Sequence, residues 1–373
     1  MFLTGKGDHA ILKPDNLIDS VNLKDGINFR IGVIPTTTIK DVAKYAGVSQ
    51  ATVSYVMNNN TDEVGYSTQQ KVLEAVKILN YHPNANARSL KSKNTRNIGL
   101  VMLHTETKQL LEDPWIIGLL AGIADISREA GYSIVIDLIM KWNEETYSRI
   151  FRGQKTNGTI ILGAAISDKI GDKLTTDKFP HIFIDRYTED TKTNCICIDN
   201  EGGAKKAVHY LASLGHQRIA YIGGIGDFAS GLYRKKGFTE AMKELALPIN
   251  PAYILEGKWS EESGYNALFQ LFDLEIPPTA VFCANDRMAI GALQAAYDRK
   301  IKVPDQISVM GFDNVQFSAY TTPPLTTLTV PIYEIGKFAA NQIIAIDNGK
   351  KFFRKEVFDV NIVIRDSTAP PAL

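Results

Sequence analysis

The sequence predicts an α/β protein in two parts: a small all-α domain near the amino terminus, then a larger domain of parallel, doubly wound sheets. Three observations predict it. Between residues 98 and 312, short runs apolar on both faces alternate with amphipathic helical stretches, the pattern of strands buried between two helical layers. Residues 38–58 read TIKDVAKYAGVSQATVSYVMN, two short helices joined by a tight turn. The chain of 373 residues is also too long for one ordinary core and suits a small domain plus a two-lobed one.

In the first helix, Thr38 stands at the cap with Asp41 three residues on, so each side chain can satisfy the other's free backbone donor. Ile39, Val42, Ala43 and Ala46 share one face, and Gly47 supplies the turn. Ser49 caps a second helix whose inward face is Val53, Val56 and Met57. Ser67 with Gln70 reads as a second capping box, ahead of a third helix carrying Val72, Ala75, Val76 and Leu79. Two helices with a Gly-containing turn match the helix-turn-helix pattern, although any small helical hairpin buries similar residues.

Charge bears on that choice. The whole chain has 41 basic and 41 acidic residues, yet residues 36–96 hold eight basic against four acidic, an excess of +4. A local basic excess in a neutral protein suits a phosphate-contacting domain fused to one that does not touch nucleic acid; a solvated helical face is the bland alternative. No apolar run approaches the ~20 residues of a membrane helix, so no membrane partner is expected. Residues 1–30 balance four basic against four acidic residues and lack the plan of an export signal. The three cysteines, Cys195, Cys197 and Cys283, lie in strand-like segments, which fits a reduced cytoplasm rather than a disulfide framework. Cys195 and Cys197 face one side by strand geometry alone, and no metal site is expected.

The strands read IGLVM at Ile98, SIVID at Ser133, GTIIL at Gly158, HIFID at His181, RIAYIGG at Arg218, AVFC at Ala280 and ISVMGF at Ile307. In such sheets a ligand sits beyond the carboxyl ends of the strands. Those ends offer Asp185 and Arg186, Asn285 and Asp286, and Asp313 and Asn314, while Arg234 opens the helix after Gly223 and Gly224, and Trp259 follows a strand at residues 253–255. Such groups suit a hydroxyl-rich ligand, with an aromatic face for stacking. They can equally cap helices, as Asp199 or Asp286 would. The stretch YIGGIGDFASG has neither Rossmann spacing nor the Lys and Ser/Thr of a Walker loop, and no nucleophile elbow or HExxH occurs. Neither an enzyme nor a cofactor is expected.

TIKDVAKYAGVS, TVSYVMN, LNYHPN, ARSL followed by IGL, LGHQRIAYIGG, YRKKGF, CANDRMAIGAL, VMGFDN, PPLTTL and VIRDST together resemble the lactose-repressor and galactose-repressor family of bacterial transcription regulators. The resemblance covers all but about the first 35 residues. It implies a helix-turn-helix headpiece over residues 36–82, a hinge helix and linker over 83–96, and a periplasmic-binding-protein-like domain over 97–366 with a tail to 373. The two lobes, joined by three crossovers, would be residues 97–197 with 329–355, and 198–328 with 356–366. Residues 1–35 are expected to be a dispensable extension; loss of operator binding on deleting them would refute that.

By the same resemblance, Gln50, Ala51 and Tyr55 approach base edges, with Ser49, Thr52 and Asn58 nearer phosphates and Thr38 also among the DNA-binding residues. Tyr55 departs from the arginine many relatives place there, so a familiar operator is not assumed. Two hinge helices over residues 84–90 would lie in the minor groove of a dimer's operator, with Leu90 as wedge, Ala87 allowing close packing and Lys91 beside it. Arg234, Asn285 and Asp313 match positions that hold a sugar or purine effector, and Trp259 one that stacks on it; Asp185 and Arg186 complete the set. The expected protein is a cytoplasmic, homodimeric repressor of double-stranded operator DNA, modulated by a small effector of sugar type. With only a few residues following 366, a tetramerising helix is not expected. A corepressor-dependent regulator, an activator, or a solute-binding module that does not read DNA remain open alternatives.

Overall fold

Burial of apolar strands between helical layers organises the larger part of the chain, and a separate three-helix core organises the smaller. The computed structural model describes residues 37–58, 60, 64–81, 94–103, 112–153, 155–163, 169–186, 193–225, 228–350 and 355–372, with backbone pairing of β1 (Val21–Asn22) and β2 (Asn28–Phe29). Two compact units result, Met1–Arg88 and Ser89–Leu373.

In the first unit, α1 (Ile39–Ala46) starts at the Thr38 cap, where the reciprocal bonds with Asp41 form as the sequence predicts. Asp41 is held below its usual carboxylate range, chiefly by the Thr38 hydroxyl. Gly47 ends the helix at φ 68°, a left-handed conformation where a β-carbon would add strain. Ser49 then caps α2 (Gln50–Met57) by accepting from the Thr52 amide. Val42, Ala43, Val53 and Val56 meet Val72 and Ala75 of α3 (Tyr66–Ile78) in one core, against which Ile39, Ala46, Met57, Val76 and Leu79 pack. One expectation fails. The cap of α3 is Gly65, without a side-chain bond, so Ser67 lies inside the first turn; Gln69 reaches back instead to the Val64 carbonyl at 2.7 Å.

The second unit contains two parallel sheets. The first has six strands in the order β13 (Lys355–Phe358), β7 (Cys195–Ile198), β6 (His181–Ile184), β5 (Gly158–Leu162), β3 (Asn97–Leu103) and β4 (Ser133–Ile139). The second has four, β11 (Ser308–Met310), β10 (Ala280–Cys283), β8 (Ile219–Gly223) and β9 (Ile254–Glu256). Along the first sheet, Leu100, Ile160, Ile182 and Ile196 join one core while Val101, Ile161, Phe183 and Cys197 join another on the opposite face. Burial on both faces is why these strands read as unbroken apolar runs.

The helices that follow the strands are α4 (Pro114–Glu129), α5 (Glu144–Tyr147), α6 (Ile170–Thr176), α7 (Asn200–Ser213), α8 (Ala229–Glu244), α9 (Glu261–Phe272), α10 (Asp286–Asp298) and α11 (Ile332–Asp347). The chain passes between lobes after β7, before α11 and after β13, with β12 (Thr327–Thr329) pairing antiparallel to β14 (Asn361–Val363). The last passage falls later than the sequence suggests, because residues 355–358 belong to the first sheet. Lys355, Glu356 and Val357 are exposed on this edge strand, so it lacks the apolar signature of its neighbours.

Candidate functional site

In the second unit a chain of hydrogen bonds links the carboxyl ends of the two sheets. At the end of β6, Asp185 accepts from Asn200 Nδ2 at 2.7 Å. Asn200, the first residue of α7, accepts in turn from Arg234 Nε at 2.7 Å. Arg234 also donates through Nη1 to Asp313 at 3.3 Å and to the Ala284 carbonyl. Its guanidinium lies 3.7 Å from the Phe312 ring centroid and 5.8 Å from that of Trp259. All four polar residues are wholly or largely buried. Burial pushes both Asp185 and Asp313 above the carboxylate range, against the pull of Arg234. Carboxyl groups raised this way hold a proton more readily than exposed ones, so they can donate as well as accept a hydrogen bond.

Three of these residues belong to the nine side-chain-bearing residues with positive φ among the described residues. Asp185, Trp259 and Asp313 have φ of 55°, 63° and 120°, left-handed values for residues that bear side chains. Such strain persists where the surrounding structure enforces it, often at ligand sites. Trp259 is seated over Gly224, where a β-carbon would fall 1.9 Å from the indole. Asn285 holds Trp259 in place: its Nδ2 donates to the Trp259 carbonyl at 3.1 Å while its Oδ1 caps α10 through the Met288 amide. Asn285 thus meets a protein partner through both its amide nitrogen and its oxygen, and it caps α10.

Arg186 goes elsewhere. Its guanidinium stacks 4.6 Å from the Phe183 ring centroid, toward Gly171 of α6, within the first lobe and apart from Arg234. Asp286 does not cap α10 but is wholly buried in its first turn, accepting from the Val315 amide at 2.8 Å and the Thr327 hydroxyl at 2.5 Å. Asp199 does cap α7. Sequence reasoning missed Asn200, because an Asp-Asn pair after an apolar strand reads only as a helix start. The sulfurs of Cys195 and Cys197 are 3.2 Å apart and buried, and no group of metal-binding side chains occurs among the described residues.

In the first unit, Gln50, Ala51, Tyr55, Ser49 and Asn58 are exposed, with Thr52 half-buried. Ser49 and Thr52 bond each other at 2.9 Å, and Asn58 Nδ2 donates to the Ser54 carbonyl at 2.8 Å. Tyr45 on α1 is a further exposed aromatic that pattern reading passed over. Ala87, Leu90 and Lys91 lie outside the described residues.

A helix-turn-helix unit with an open second helix, followed by a two-lobed domain whose sheet ends meet in a buried polar chain, defines a ligand-responsive DNA-binding protein. Comparison with known proteins is specific. Residues 38–84 match the model of bacterial regulatory proteins of the lacI family, and residues 208–368 that of a periplasmic binding protein-like domain. The chain is 35% identical over 335 residues to the HTH-type transcriptional repressor PurR of Histophilus somni (strain 129Pt), covering 88% of this chain and 98% of that one. It is 34% identical over 348 residues to the probable HTH-type transcriptional repressor ExuR of Bacillus subtilis (strain 168), with 88% and 98% covered. Among solved structures, the Lac repressor dimer bound to operator and the anti-inducer ONPF matches at TM-score 0.80 and 30% identity, over 90% of this chain and 99% of that one. The transcriptional regulator CelR–cellobiose complex matches at TM-score 0.67 and 26% identity, over 89% and 99%. The chain belongs to the lacI family of bacterial regulatory proteins and is a ligand-responsive transcriptional repressor, not an enzyme. No helix among the described residues is long and apolar enough to cross a membrane.

Proposed function

We propose that the chain works in the cytoplasm as a homodimer on a near-palindromic operator, and that a sugar or sugar derivative bound between the lobes sets its affinity for that DNA. The Asp185–Asn200–Arg234–Asp313 chain carries the effector assignment. It offers charged and amide groups from both lobes beside the indole face of Trp259, a combination that suits hydroxyl pairs on a ring. The similarity to a regulator solved with cellobiose supports the sugar class. Arg186 contributes as a support for the Asp185 strand end rather than as a ligand contact.

The heat stability of the chain against a panel of neutral sugars, sugar acids and purines tests this. A neutral sugar should raise the melting temperature of the native chain and leave Arg234→Ala unmoved. Stabilisation by a purine alone would overturn the sugar class.

Exposed apolar residues support the dimer. β4 is an edge strand and carries exposed Ile136, with Met140 just beyond it; Ile117 on α4 and Phe317 and Tyr320 are exposed as well. Sedimentation should give a dimer at micromolar concentration, and a stable tetramer would count against it.

On DNA, Gln50, Ala51 and Tyr55 read base edges; Thr38, Ser49, Thr52, Asn58 and Lys91 meet the backbone; and Leu90, with Ala87 beside it, wedges the central step. Selection of bound sequences from random duplexes should enrich a near-palindrome with a pyrimidine-purine centre. Leu90→Ala should weaken binding to it, and unchanged affinity would remove the wedge.

A further inference from the structure

Arg287 occupies a place where a cation is unexpected. It sits in the first turn of α10, the end of a helix at which the macrodipole favours anions. Two carboxylates hold it there. Glu261, the first residue of α9 in the same lobe, grips the guanidinium along one edge, accepting from Nε at 2.8 Å and from Nη2 at 2.7 Å. That fork fixes the plane of the group and leaves Nη1 facing Asp113, whose Oδ2 is 3.5 Å away.

Asp113 belongs to the other lobe. Its Oδ1 caps α4 by accepting from the Trp115 amide at 2.9 Å, which leaves Oδ2 for the arginine. α4 follows β3 of the six-stranded sheet and α10 follows β10 of the four-stranded one, so both helices begin at the carboxyl ends of their sheets, where the cleft lies. The arginine side chain is 12% exposed and that of Asp113 22%, so the contact is only partly screened by solvent.

We propose that Arg287 and Asp113 form an interlobe latch which holds the cleft closed, with Glu261 as the positioning residue that aims the arginine. The proposal rests on the reading of the cleft as the effector site: a ligand enters or leaves only when the latch parts, so its strength sets the closed fraction before any ligand binds. Neither Asn200 nor Arg234 substitutes for it, since their bonds run through α7 at a crossover between the lobes.

The test needs neither effector nor DNA. Nitroxides at Lys141→Cys and Lys258→Cys, exposed positions beyond β4 and β9, report the distance across the cleft by pulsed electron resonance in the full-length chain, diluted with unlabelled protein. The three native cysteines are buried and take no label. Asp113→Asn keeps a helix cap and removes the charge, and Arg287→Gln removes the other partner. Each should shift the closed-to-open ratio toward the longer distance by about threefold to tenfold, and the double variant should add little to either single one. Glu261→Gln should give a smaller shift in the same direction. Raising the salt concentration should open the native chain and not the variants.

Identical distance distributions in native and variant proteins with unchanged melting temperatures would overturn the latch. So would equal and additive shifts, which mean the two residues act apart. Either result leaves the effector reading standing, because that is judged separately by the ligand panel.

Discussion

Arg234 and Asp313 form an ion pair at 3.3 Å with side chains only 4% and 9% exposed. Two charges from one lobe are thus withdrawn from water at the point where the second lobe approaches. Asp313 is raised in pKa by that burial, while Arg234 opposes the rise. Under the proposed effector reading the pair serves as a prepared binding surface rather than as a source of stability, since well-packed apolar residues would stabilise as well.

Removing one partner tests this. Arg234→Ala should lower the unfolding free energy by about 3 kcal/mol in urea titrations, because Asp313 is left buried without its cation. The variant should keep operator affinity and lose the ligand-induced rise in melting temperature. A full ligand response in a folded variant would remove Arg234 from the site.

Asp286 predicts a pH dependence. Burial pushes its carboxyl from 3.8 up to about 7, although the Thr327 hydroxyl and the Val315 amide favour the charged form. The folded state therefore binds the proton more tightly than the unfolded chain. Its stabilising contribution is complete below pH 3.8 and is lost as pH rises through about 7. Relative to Asp286→Asn, native stability should fall across that window, with a slope approaching about 1.4 kcal/mol per pH unit. Parallel stability curves for the two proteins would mean that Asp286 does not titrate there.

The Tyr221 hydroxyl is fully buried and has no hydrogen-bond partner among the described residues, its ring stacked 5.0 Å from that of Phe238. Replacing both the group and its desolvation cost with a hydrogen should be harmless. Tyr221→Phe is expected to be neutral or to stabilise by up to about 1 kcal/mol, as read by chemical denaturation. A loss of that size instead would reveal a partner for the hydroxyl.

Gly224 matters for what it lacks. A methyl group there would overlap the Trp259 indole at 1.9 Å, so Gly224→Ala should displace the ring. Intrinsic fluorescence should change and effector affinity should fall, with selected operator sequences unaltered. An unperturbed Trp259 spectrum would place the ring elsewhere.

On the DNA side, Tyr55 is 44% exposed on the outward face of α2. Tyr55→Ala should relax preference at one base pair by about 1–3 kcal/mol while leaving the salt dependence of binding unchanged. A uniform loss across all sequences would make Tyr55 a backbone contact.

Periodicity alone foretold the three-helix core from Val42 to Leu79 and the unbroken strands from Ile98 to Met310, because burial on one helical face or both sheet faces writes itself into residue order. Caps at Thr38 and Ser49 were legible for the same reason: donor and acceptor are three residues apart. The α3 start was misread, since Gly65 leaves no side-chain signal and Gln69 reaches back to a carbonyl instead. Residues 356–358 of the edge strand fall in the first lobe rather than the second, where the sequence places them, because their exposed residues are patterned like a loop.

The cleft divides differently. Asp185, Arg234 and Asp313 could be named from their positions after apolar runs or at a helix start, but not their linkage through Asn200, nor the turning of Arg186 toward Phe183. The residues of the Arg287, Glu261 and Asp113 cluster were likewise invisible as a set. By itself the sequence determined the helix-turn-helix pattern, the alternation of buried strands with helices, and the family. Only the tertiary structure decided which polar residues meet, because Asp113 and Arg287 are 174 positions apart and come together solely by the closure of two separately built sheets.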